Sequence, residues 1–308
     1  MARYLGIGKE SVYGTPVAAQ YYIPIISESL KLEHGYIHPE TVAYRELDKV
    51  IAGKKLVTGG WEQYVTYDKG IGLILKALLG SETKTNPTTG VAKHEFKKAA
   101  SIPSLTVRVG LHDVKEKILE GIGINELTFE LIAGELLTCS VDCVGEDEST
   151  GTLGTPTFST QDFIDSSKIN TFKLDTNSVT PERFTITIRN NIDTDAYQLG
   201  ARTLPRLEPT SLEVEGEMDI RFLSTSHLDD FLNSTKKDLQ VILRGPVITG
   251  GYYNELQIDC DEIIYDAADA YIDRQERIVQ NLKFTAIRDA TSGEPVIITL
   301  QNEEDNEY

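Results

Sequence analysis

Apolar and polar residues alternate in short runs along most of the chain, a pattern that indicates half-buried β-strands. The alternation is cleanest over residues 126–131, which turn at Gly134 and return through Leu137 to Val144 as a hairpin with one buried face. Long strands are predicted over residues 54–67 and 212–223. Val, Ile, Thr and Tyr recur in these runs, whereas blocks of helix-favouring residues are few. The pattern therefore predicts an all-β protein.

Each of the two long strands is followed by a short segment with helical spacing. The first covers residues 70–79, where Asp68 is placed to cap the helix and Gly80 to end it. The second covers residues 227–233. A strand followed by a helix is thus predicted once in each half of the chain.

The two strand–helix units also align residue by residue. A shift of 157 positions, from 57 to 214, needs no gap and superimposes these pairs: Val57 on Val214, Gly59 on Gly216, Trp61 on Met218, Glu62 on Asp219, Leu75 on Leu232. Residues 105–107 match 239–241 at a shift of 134, so the second copy is shorter by about 23 residues (157 minus 134). Duplication predicts a ring with half as many chains as building blocks, a trimer of pseudo-sixfold appearance.

The remaining segments complete the predicted organisation. Residues 1–22, punctuated by glycines and Pro16, predict an N-terminal arm, and residues 23–146 predict a first β-domain. That domain includes a polar loop over residues 81–103, which is too long for a simple connection. Residues 147–182, rich in Gly, Ser, Thr and Asp, predict a linker before a second domain over residues 183–308.

Charge and composition narrow the function classes. Acidic residues outnumber basic ones 48 to 30, for a formal charge of −18, and such a surface repels nucleic acid. The first residues contain no apolar core of a signal peptide, and the longest apolar run, residues 71–79, is too short to span a bilayer. We expect a protein made in a cytoplasm and no membrane partner. The three cysteines, Cys139, Cys143 and Cys260, do not suggest a disulfide framework and are expected to be small buried residues.

Motifs that carry chemistry are weak throughout. Residues 6–10 resemble a phosphate loop, but Glu10 stands where Ser or Thr would bind magnesium. His34 and His38 have the spacing of a helical zinc pair, but Gly35 and Pro39 argue against a helix, and exposed loop residues are expected. An acidic run suggests calcium binding or sugar hydrolysis, although a solvated face is the simpler interpretation: Asp259, Asp261, Glu262, Asp266, Asp269, Asp273. We expect no catalytic residue, cofactor or metal.

Several segments resemble the tail tube proteins of long-tailed bacterial viruses. The opening resembles that family over residues 6–16, followed by Ile23-Pro24 and residues 27–30. Residues 102–107, after the long loop, and the hairpin block 121–129 with its ending 141–145 are also similar. The matches cover about the first 145 residues, and the internal repeat extends the assignment to the second half.

The resemblance implies two tandem β-sandwich domains, each with a short flanking helix, that join side by side into rings. Inner sheets of neighbouring domains would form a barrel around a lumen, and rings would stack through arms and long loops. The implied partners are other copies of the chain, a tape-measure protein in the lumen, tail terminator and tip proteins, and double-stranded DNA that passes without specific binding. The implied location is the virion tail.

Two sets of residues are candidates for this function. The strand 212–222 places carboxylates on one face, Glu213, Glu215, Glu217 and Asp219, with Glu62 at the repeat position in the first half. Unpaired burial would cost several kcal/mol per charge, so this face meets solvent or a cationic partner, as the tube exterior or as the lumen. The candidate stacking residues lie in the arm and the long loop: Gly14, Thr15, Pro16, Lys93, Lys97, Lys98.

Two other function classes compete with a tube subunit. An acidic β-sandwich binding or adhesion module would share the composition, but it would be expected to carry a signal peptide. A hydrolase would have to use the acids over residues 259–273. Hollow tubes in the electron microscope are expected for the structural class alone.

Overall fold

The computed structural model describes residues 3–43, 45–271 and 278–308. Strands hold 55% of the residues and helices 7%, so the predicted all-β class is confirmed. The elements of the first half are β1 (Arg3–Lys9), β2 (Tyr21–Ile23), β3 (Ile25–Glu28), β4 (Lys31–Ile37), β5 (Ile51–Tyr64), α1 (Lys69–Leu79), β6 (Gly80–Thr88), β7 (Val91–Lys98), β8 (Leu105–Leu111), β9 (Lys115–Ile132), β10 (Thr138–Gly145) and β11 (Asp147–Gly151).

The second half begins with a 3₁₀ turn, Ser166–Lys168. It continues with β12 (Ile169–Leu174), β13 (Asn177–Ser178), β14 (Arg183–Arg189), β15 (Glu213–Arg221), α2 (Ser226–Leu232), β16 (Lys237–Thr249), β17 (Tyr252–Tyr271), β18 (Val279–Ala286) and β19 (Ile297–Asn302). Both predicted helices are confirmed. Asp68 caps α1 by accepting a hydrogen bond from the Gly70 amide, and Gly80 ends it with a φ of 87°.

One sheet, which we call the shared sheet, runs through both halves. Its order is β3 and β4 side by side on β5, then β10, the second part of β9, β14, β15, β18 and the second part of β17, with every pairing antiparallel. The two halves meet where β9 pairs with β14. No break in hydrogen bonding therefore separates the halves at this layer of the described chain.

Two further sheets, which we call the first and second flanking sheets, lie in the two halves. The first has the order β2, β1, β8, the first part of β9 and β11. The second has the order β13, β12, β16, the first part of β17, β19, β7 and β6. The long strands β9 and β17 thus each belong to a flanking sheet and to the shared sheet.

One continuous hydrophobic core includes apolar residues from all three sheets and α1. In the first half it includes Leu5, Val107 and Trp61, and in the second half Val241, Met218 and Phe284, all at most 3% exposed. Every apolar residue of α1 is buried, whereas α2 has no fully buried residue.

The predicted repeat is visible as a repeat of strand order. In the first half β5, β10, β9 and β8 are neighbours in that order, and in the second half β15, β18, β17 and β16 are. Each copy carries a bulge at the same place, where Asn125 opposite β10 and Asp266 opposite β18 are skipped. The domain boundaries at residues 146 and 182 remain a prediction, since sheet and core run across them.

Three segments predicted to be irregular contain strands. Within the predicted arm 1–22, residues 3–9 form β1 and Tyr21 begins β2, whereas residues 10–20 are irregular. Leu5 and Ile7 are fully buried in β1. The alternation escapes notice because glycines occupy the other face, where Gly6 faces the Tyr22 ring and Gly8 faces the Ala18 carbonyl. Because glycines in a sequence usually indicate turns and loops, a strand with glycines on one face is easily predicted as a loop.

The predicted loop 81–103 is largely the hairpin β6–β7, in which Val91, His94 and Phe96 are buried. The predicted linker 147–182 likewise contains β11, the 3₁₀ turn, β12 and β13. The prediction of irregular structure was wrong for these strands because they add to sheets at or near an edge, where polar residues are tolerated. Residues 152–165 of the predicted linker are largely irregular.

Candidate functional site

The face of the shared sheet that points away from the core is polar from end to end; we call it the open face. On β15 the alternation places Val214, Met218 and Ile220 in the core. Glu213 and Glu215 point the other way and are exposed, with Glu217 and Asp219 half-buried. The burial pattern therefore puts these four carboxylates on the side away from the core, as the alternation of the strand predicts.

Acidic side chains dominate the open face beyond β15. Strand pairing and burial place the following charged residues there: Glu33, Glu62, Glu126, Glu130, Asp142, Glu213, Glu215, Glu217, Asp219, Asp269, Lys31, Arg183, Arg189, Arg221, Lys283. Acids outnumber bases in this set. The face therefore presents a negative field to whatever lies opposite it.

Two arginines of β14 neutralise part of this charge at the centre of the sheet. Arg189 contacts Glu126 at 2.5 Å and Glu215 at 2.6 Å, and Arg183 contacts Glu130 at 2.7 Å. These hydrogen bonds raise the pKa of both guanidinium groups. Sequence analysis did not single out these cations, although Arg183 and Arg189 bracket a cleanly alternating run that predicts their common face.

Among the other carboxylates of the open face, Glu33 pairs with Lys31 at 2.7 Å, and Glu217 lies 4.0 Å from Lys283. Asn281 donates to both Glu217 and Asp219 at 2.7 Å from its amide nitrogen, Nδ2. Partial burial, with a contribution from Glu126, raises the pKa of the Asp142 carboxyl. Glu62 of β5 lies opposite Ser140 of β10 on the open face, the face that its repeat partner Asp219 also occupies.

Both ends of the shared sheet are unpaired edges within the described part of the chain. At one end residues 264–271 of β17 pair with β18 on one side and have no partner on the other. At the opposite end β3 and β4 pair with no strand other than β5, although between them the Leu30 amide donates to Glu28 and the Leu30 carbonyl accepts from Lys117. Free edges of this length are templates for adding another strand.

The candidate stacking residues lie in two different settings. Gly14, Thr15 and Pro16 form part of a surface turn after β1, which the buried Glu10 carboxylate fixes by accepting from the Gly14 amide at 3.0 Å. Lys93, Lys97 and Lys98 belong to β7, with Lys97 paired to Glu95 at 2.6 Å. Their role in stacking stays a prediction, but the lysines do not belong to an irregular loop.

The acidic residues considered for calcium binding or sugar hydrolysis form hydrogen bonds with neighbouring side chains of the fold. Asp259 accepts hydrogen bonds from Gln240 and Gln257, and Asp266 accepts one from Thr285. Asp273 lies outside the described residues. Among those described, no group of His, Cys, Asp and Glu has the arrangement of a metal site.

The histidines and cysteines of the sequence analysis are also accounted for. His34 lies in β4 and stacks on Tyr36, so its predicted loop placement was wrong, although its predicted exposure is confirmed. His38 follows β4 outside any strand and is exposed, as predicted. Cys139, Cys143 and Cys260 are buried as predicted, and burial raises the pKa of each thiol.

A buried polar cluster that sequence analysis missed joins the two halves. His94 of β7 is fully buried, with Nδ1 at 2.8 Å from Glu82 Oε1 and Nε2 at 2.9 Å from the carbonyl oxygen of Glu304. The Tyr308 amide also donates to the Glu82 carboxylate, at 3.0 Å. The Tyr308 ring lies over Gly72 of α1, where a β-carbon would collide with it. Residues 302–308 thus dock the second half onto the first.

Comparison with known proteins agrees with this geometry. A family model described as phage tail tube protein matches residues 2–286. No curated protein matches the chain. The described residues include no helix with the length and apolar character needed to cross a membrane.

Proposed function

The chain belongs to the phage tail tube protein family and is a structural protein of the virion tail, and we propose that three copies close into a ring whose inner wall is the shared sheet. The observation that carries this proposal is that one sheet spans both halves, with two free edges and one open polar face. A sheet free at both ends can continue into neighbouring copies, whereas the flanking sheets are confined largely to one half each. Repeated halves give such a trimer the appearance of six similar units.

In this ring the open face lines the lumen. The opposite face of the shared sheet is buried under the flanking sheets, so it is unavailable to a passing molecule. Carboxylates along the wall, including Glu62 and Glu213, repel DNA phosphates and keep the passing duplex from sticking. The role is mechanical and electrostatic, and the proposal assigns no catalytic step to any residue.

The remaining partners follow from the same architecture. Rings stack into a tube, which encloses a tape-measure protein before DNA passes and is closed by terminator and tip proteins at its ends. The subunit is made in the host cytoplasm before assembly. These partners and the trimeric stoichiometry rest on the family and on the duplication, and each is open to direct measurement.

Site-specific labelling of assembled tubes tests which face lines the lumen. Ser140 is exposed on the open face of β10, and Ser149 is exposed on β11 of the first flanking sheet. Single Ser140→Cys and Ser149→Cys variants would be treated with a polymer-linked maleimide too bulky to enter the tube. Because the native cysteines are buried, background labelling is low.

We expect the Ser140→Cys variant to react as dissociated subunits and to be protected in tubes, while the Ser149→Cys variant reacts in both states. Labelling of the Ser140→Cys variant in intact tubes would place the open face outside and end the lumen assignment. Native mass spectrometry of the same rings should give three chains. Six full-length chains would contradict the proposal that each chain supplies two of the six similar units of the ring.

A further inference from the structure

The joint between the two halves supplies a template for the joint between two copies of the chain. We propose that β17 of one copy pairs antiparallel with residues 27–33 of the next copy, in the register by which β9 pairs with β14 inside the chain. In this register Lys31 lies opposite Asp269. The inference rests on the proposed ring and specifies which edges meet and which residues face each other.

The internal joint is a regular antiparallel ladder. Its register places Thr128 opposite Thr187, Leu127 opposite Ile188 and Glu126 opposite Arg189. The hydroxyl oxygens of Thr128 and Thr187 are 2.9 Å apart on the open face. This pair therefore marks a position where two side chains meet across the joint.

Pairing to a common strand identifies residues 27–33 as the counterpart of β14. Arg183 pairs with Asp219 of β15 just as Ser27 pairs with Glu62 of β5. Thr187 pairs with Glu215 just as Lys31 pairs with Thr58. The β15 residues are the repeat partners of the β5 residues at the shift of 157 (219 minus 62, and 215 minus 58). Their neighbours on β14 and in residues 27–33 therefore also correspond, at a shift of 156 positions (187 minus 31).

The same reasoning relates β9 to β17. Leu127 of β9 pairs with Val141 of β10, which pairs in turn with Trp61 of β5. Ala268 of β17 pairs with Leu282 of β18, which pairs in turn with Met218 of β15. Trp61 and Met218 are repeat partners, so the shift from β9 to β17 is 141 (268 minus 127). The skipped residues Asn125 and Asp266 obey the same shift, which fixes it independently.

Transferring the internal register with these shifts gives the contacts between copies. The Thr128–Thr187 pair becomes Asp269 opposite Lys31, the Leu127–Ile188 pair becomes Ala268 opposite Leu32, and the Glu126–Arg189 pair becomes Ala267 opposite Glu33. Asp269 is exposed, and the Lys31 side chain is 65% exposed in the single chain. A hydrogen-bonded pair at the internal joint is thus replaced by opposite charges at the joint between copies.

These charges also exclude the neighbouring register. A slip by two residues that moved Lys31 opposite residue 271 would place Glu33 opposite Asp269, two like charges directly across a strand pair. A slip in the other direction would leave Asp269 opposite Ser29, without its cation. The arrangement therefore favours one register and one partner, a second copy of this chain.

Apolar residues close to this edge are uncovered in the single chain. Leu232 of α2, the repeat partner of the fully buried Leu75, is 69% exposed, and Leu223 is 88% exposed. The α2 helix packs against β17, where the His227 ring meets the Tyr265 ring edge to face. A copy added at the β17 edge arrives beside these side chains and can cover them.

Oxidative cross-linking of cysteine pairs tests the register. The full-length Lys31→Cys/Asp269→Cys variant places thiols directly opposite each other, where β-carbons are about 5 Å apart. The matched Lys31→Cys/Ala267→Cys variant places them on a diagonal, about 7–8 Å apart and beyond the span of a disulfide. We expect the first to give covalent dimers and trimers at least about 10-fold more efficiently than the second.

A charge exchange provides a second test that does not require cysteine. Lys31→Asp alone and Asp269→Lys alone should each reduce ring formation about 10-fold, and the double exchange should restore it to within about 3-fold of the natural sequence. Lys115→Asp, an exposed substitution at the β8–β9 turn, serves as the control and should leave ring formation unchanged.

Failure of the register and failure of the ring give different results. Rings that form but cross-link through the 31/267 pair, or through neither pair, would overturn the proposed register and leave the tube function intact. Absence of any ring or tube from the natural sequence would overturn both. A double charge exchange no better than the single variants would also contradict the Lys31–Asp269 contact.

Discussion

At the residue scale, His94 shows how a polar side chain can be both buried and structural. Its two ring nitrogens face a carboxylate and a backbone carbonyl, both of which accept hydrogen bonds. The Tyr308 amide donates to the same carboxylate, and the Lys76 ammonium lies 3.8 Å from it, so the Glu82 oxygens act as acceptors. The ring is therefore held at both nitrogens, by the Glu82 carboxylate on β6 and by the Glu304 backbone carbonyl near the chain's end.

Replacing this histidine should destabilise the fold because buried polar groups lose hydrogen bonds. In His94→Phe the ring still fits between Phe96 and Tyr308, which it already contacts. The Glu82 carboxylate, however, loses the hydrogen bond of His94 in a buried site, which costs about 1–3 kcal/mol. We expect urea denaturation of the unassembled protein to show a loss of unfolding free energy of that size.

The same substitution at an exposed position provides the control. His34 stacks on Tyr36 at the surface of β4, so His34→Phe should change the unfolding free energy by less than about 0.5 kcal/mol. Equal losses in the two variants would show that the lost buried hydrogen bonds of His94 are not the cause.

Glycines illustrate what a sequence repeat can and cannot reveal. Gly59 and Gly216 are repeat partners, and both lack room for a β-carbon. At Gly59 the obstacle is the backbone of Ser29 together with a φ of 101°, whereas at Gly216 it is the ring of Phe284. The sequence predicts that both positions matter, but the physical reason differs between the copies and depends on tertiary neighbours.

At the scale of elements, strands with a buried alternating face were predictable and strands at sheet edges were not. The hairpin β9–β10 and the strands β5 and β15 follow from alternation alone. By contrast, β6 carries polar residues along its length because it forms the edge of a sheet, and β1 is masked by Gly6 and Gly8. The alternation of β15 predicted the acidic part of the open face, but its pairing to the arginines of β14 depends on tertiary register.

The β4–β5 hairpin is the element whose exposure calls for a partner in another ring. Residues 51–56 of β5 extend beyond β10, whose pairing ends at Val57. This extension carries an apolar pair, Ile37 opposite Ile51, that is 55% and 51% exposed, and Val42 and Leu47 are exposed at the tip. In the proposed ring, a hairpin that prolongs a strand of the inner wall extends along the strand direction, towards the next ring.

We therefore predict that Ile37→Asp together with Ile51→Asp leaves rings intact and shortens or abolishes tubes. Charged side chains at this pair remove apolar burial worth about 2–4 kcal/mol if both side chains are covered in the stack. Sedimentation and electron microscopy of purified protein would measure the result. Val114→Asp, at a position that is 77% exposed on the β8–β9 turn, is the control, and its tubes should keep their normal length. Normal tubes from the double variant would exclude this hairpin from stacking.

At the scale of the whole molecule, the duplication was readable from the sequence but its consequence was not. The aligned residues 57–75 and 214–232 predicted two similar units, and the repeated strand order agrees with them. The sequence does not show that β14 pairs with β9 and so merges two four-strand repeats into one sheet. This pairing depends on which strand edges come together in the folded chain. The 23 residues that distinguish the copies (157 minus 134) supply β6 and β7, and β7 pairs with β19 of the second half. An insertion in one repeat thus enlarges the sheet of the other.

In the proposed ring, replacing three carboxylates of the open face would reverse the electric field in the lumen. Glu62, Asp142 and Glu213 make no ion pair with another described residue, so their charge can change without breaking the contacts of Arg183 and Arg189. The triple variant Glu62→Lys, Asp142→Lys, Glu213→Lys should still assemble, because each change is at a solvent-facing position. Its lumen would carry cations that bind phosphates, with an affinity that falls as salt rises.

We expect tubes of this variant to retain short labelled duplex DNA at low salt and to release it at about 0.5 M salt, as counterion competition requires. Natural tubes should retain none at either salt concentration. The matched control reverses three exposed acids outside the shared sheet: Asp238→Lys, Asp261→Lys, Glu303→Lys. DNA bound by these control tubes would lie on the outer surface, where a nuclease degrades it, whereas DNA inside the lumen of the first variant is protected. If DNA bound to the first variant were equally sensitive to nuclease, the open face would lie on the outside of the tube, and the carboxylates of β15 would serve solubility rather than passage.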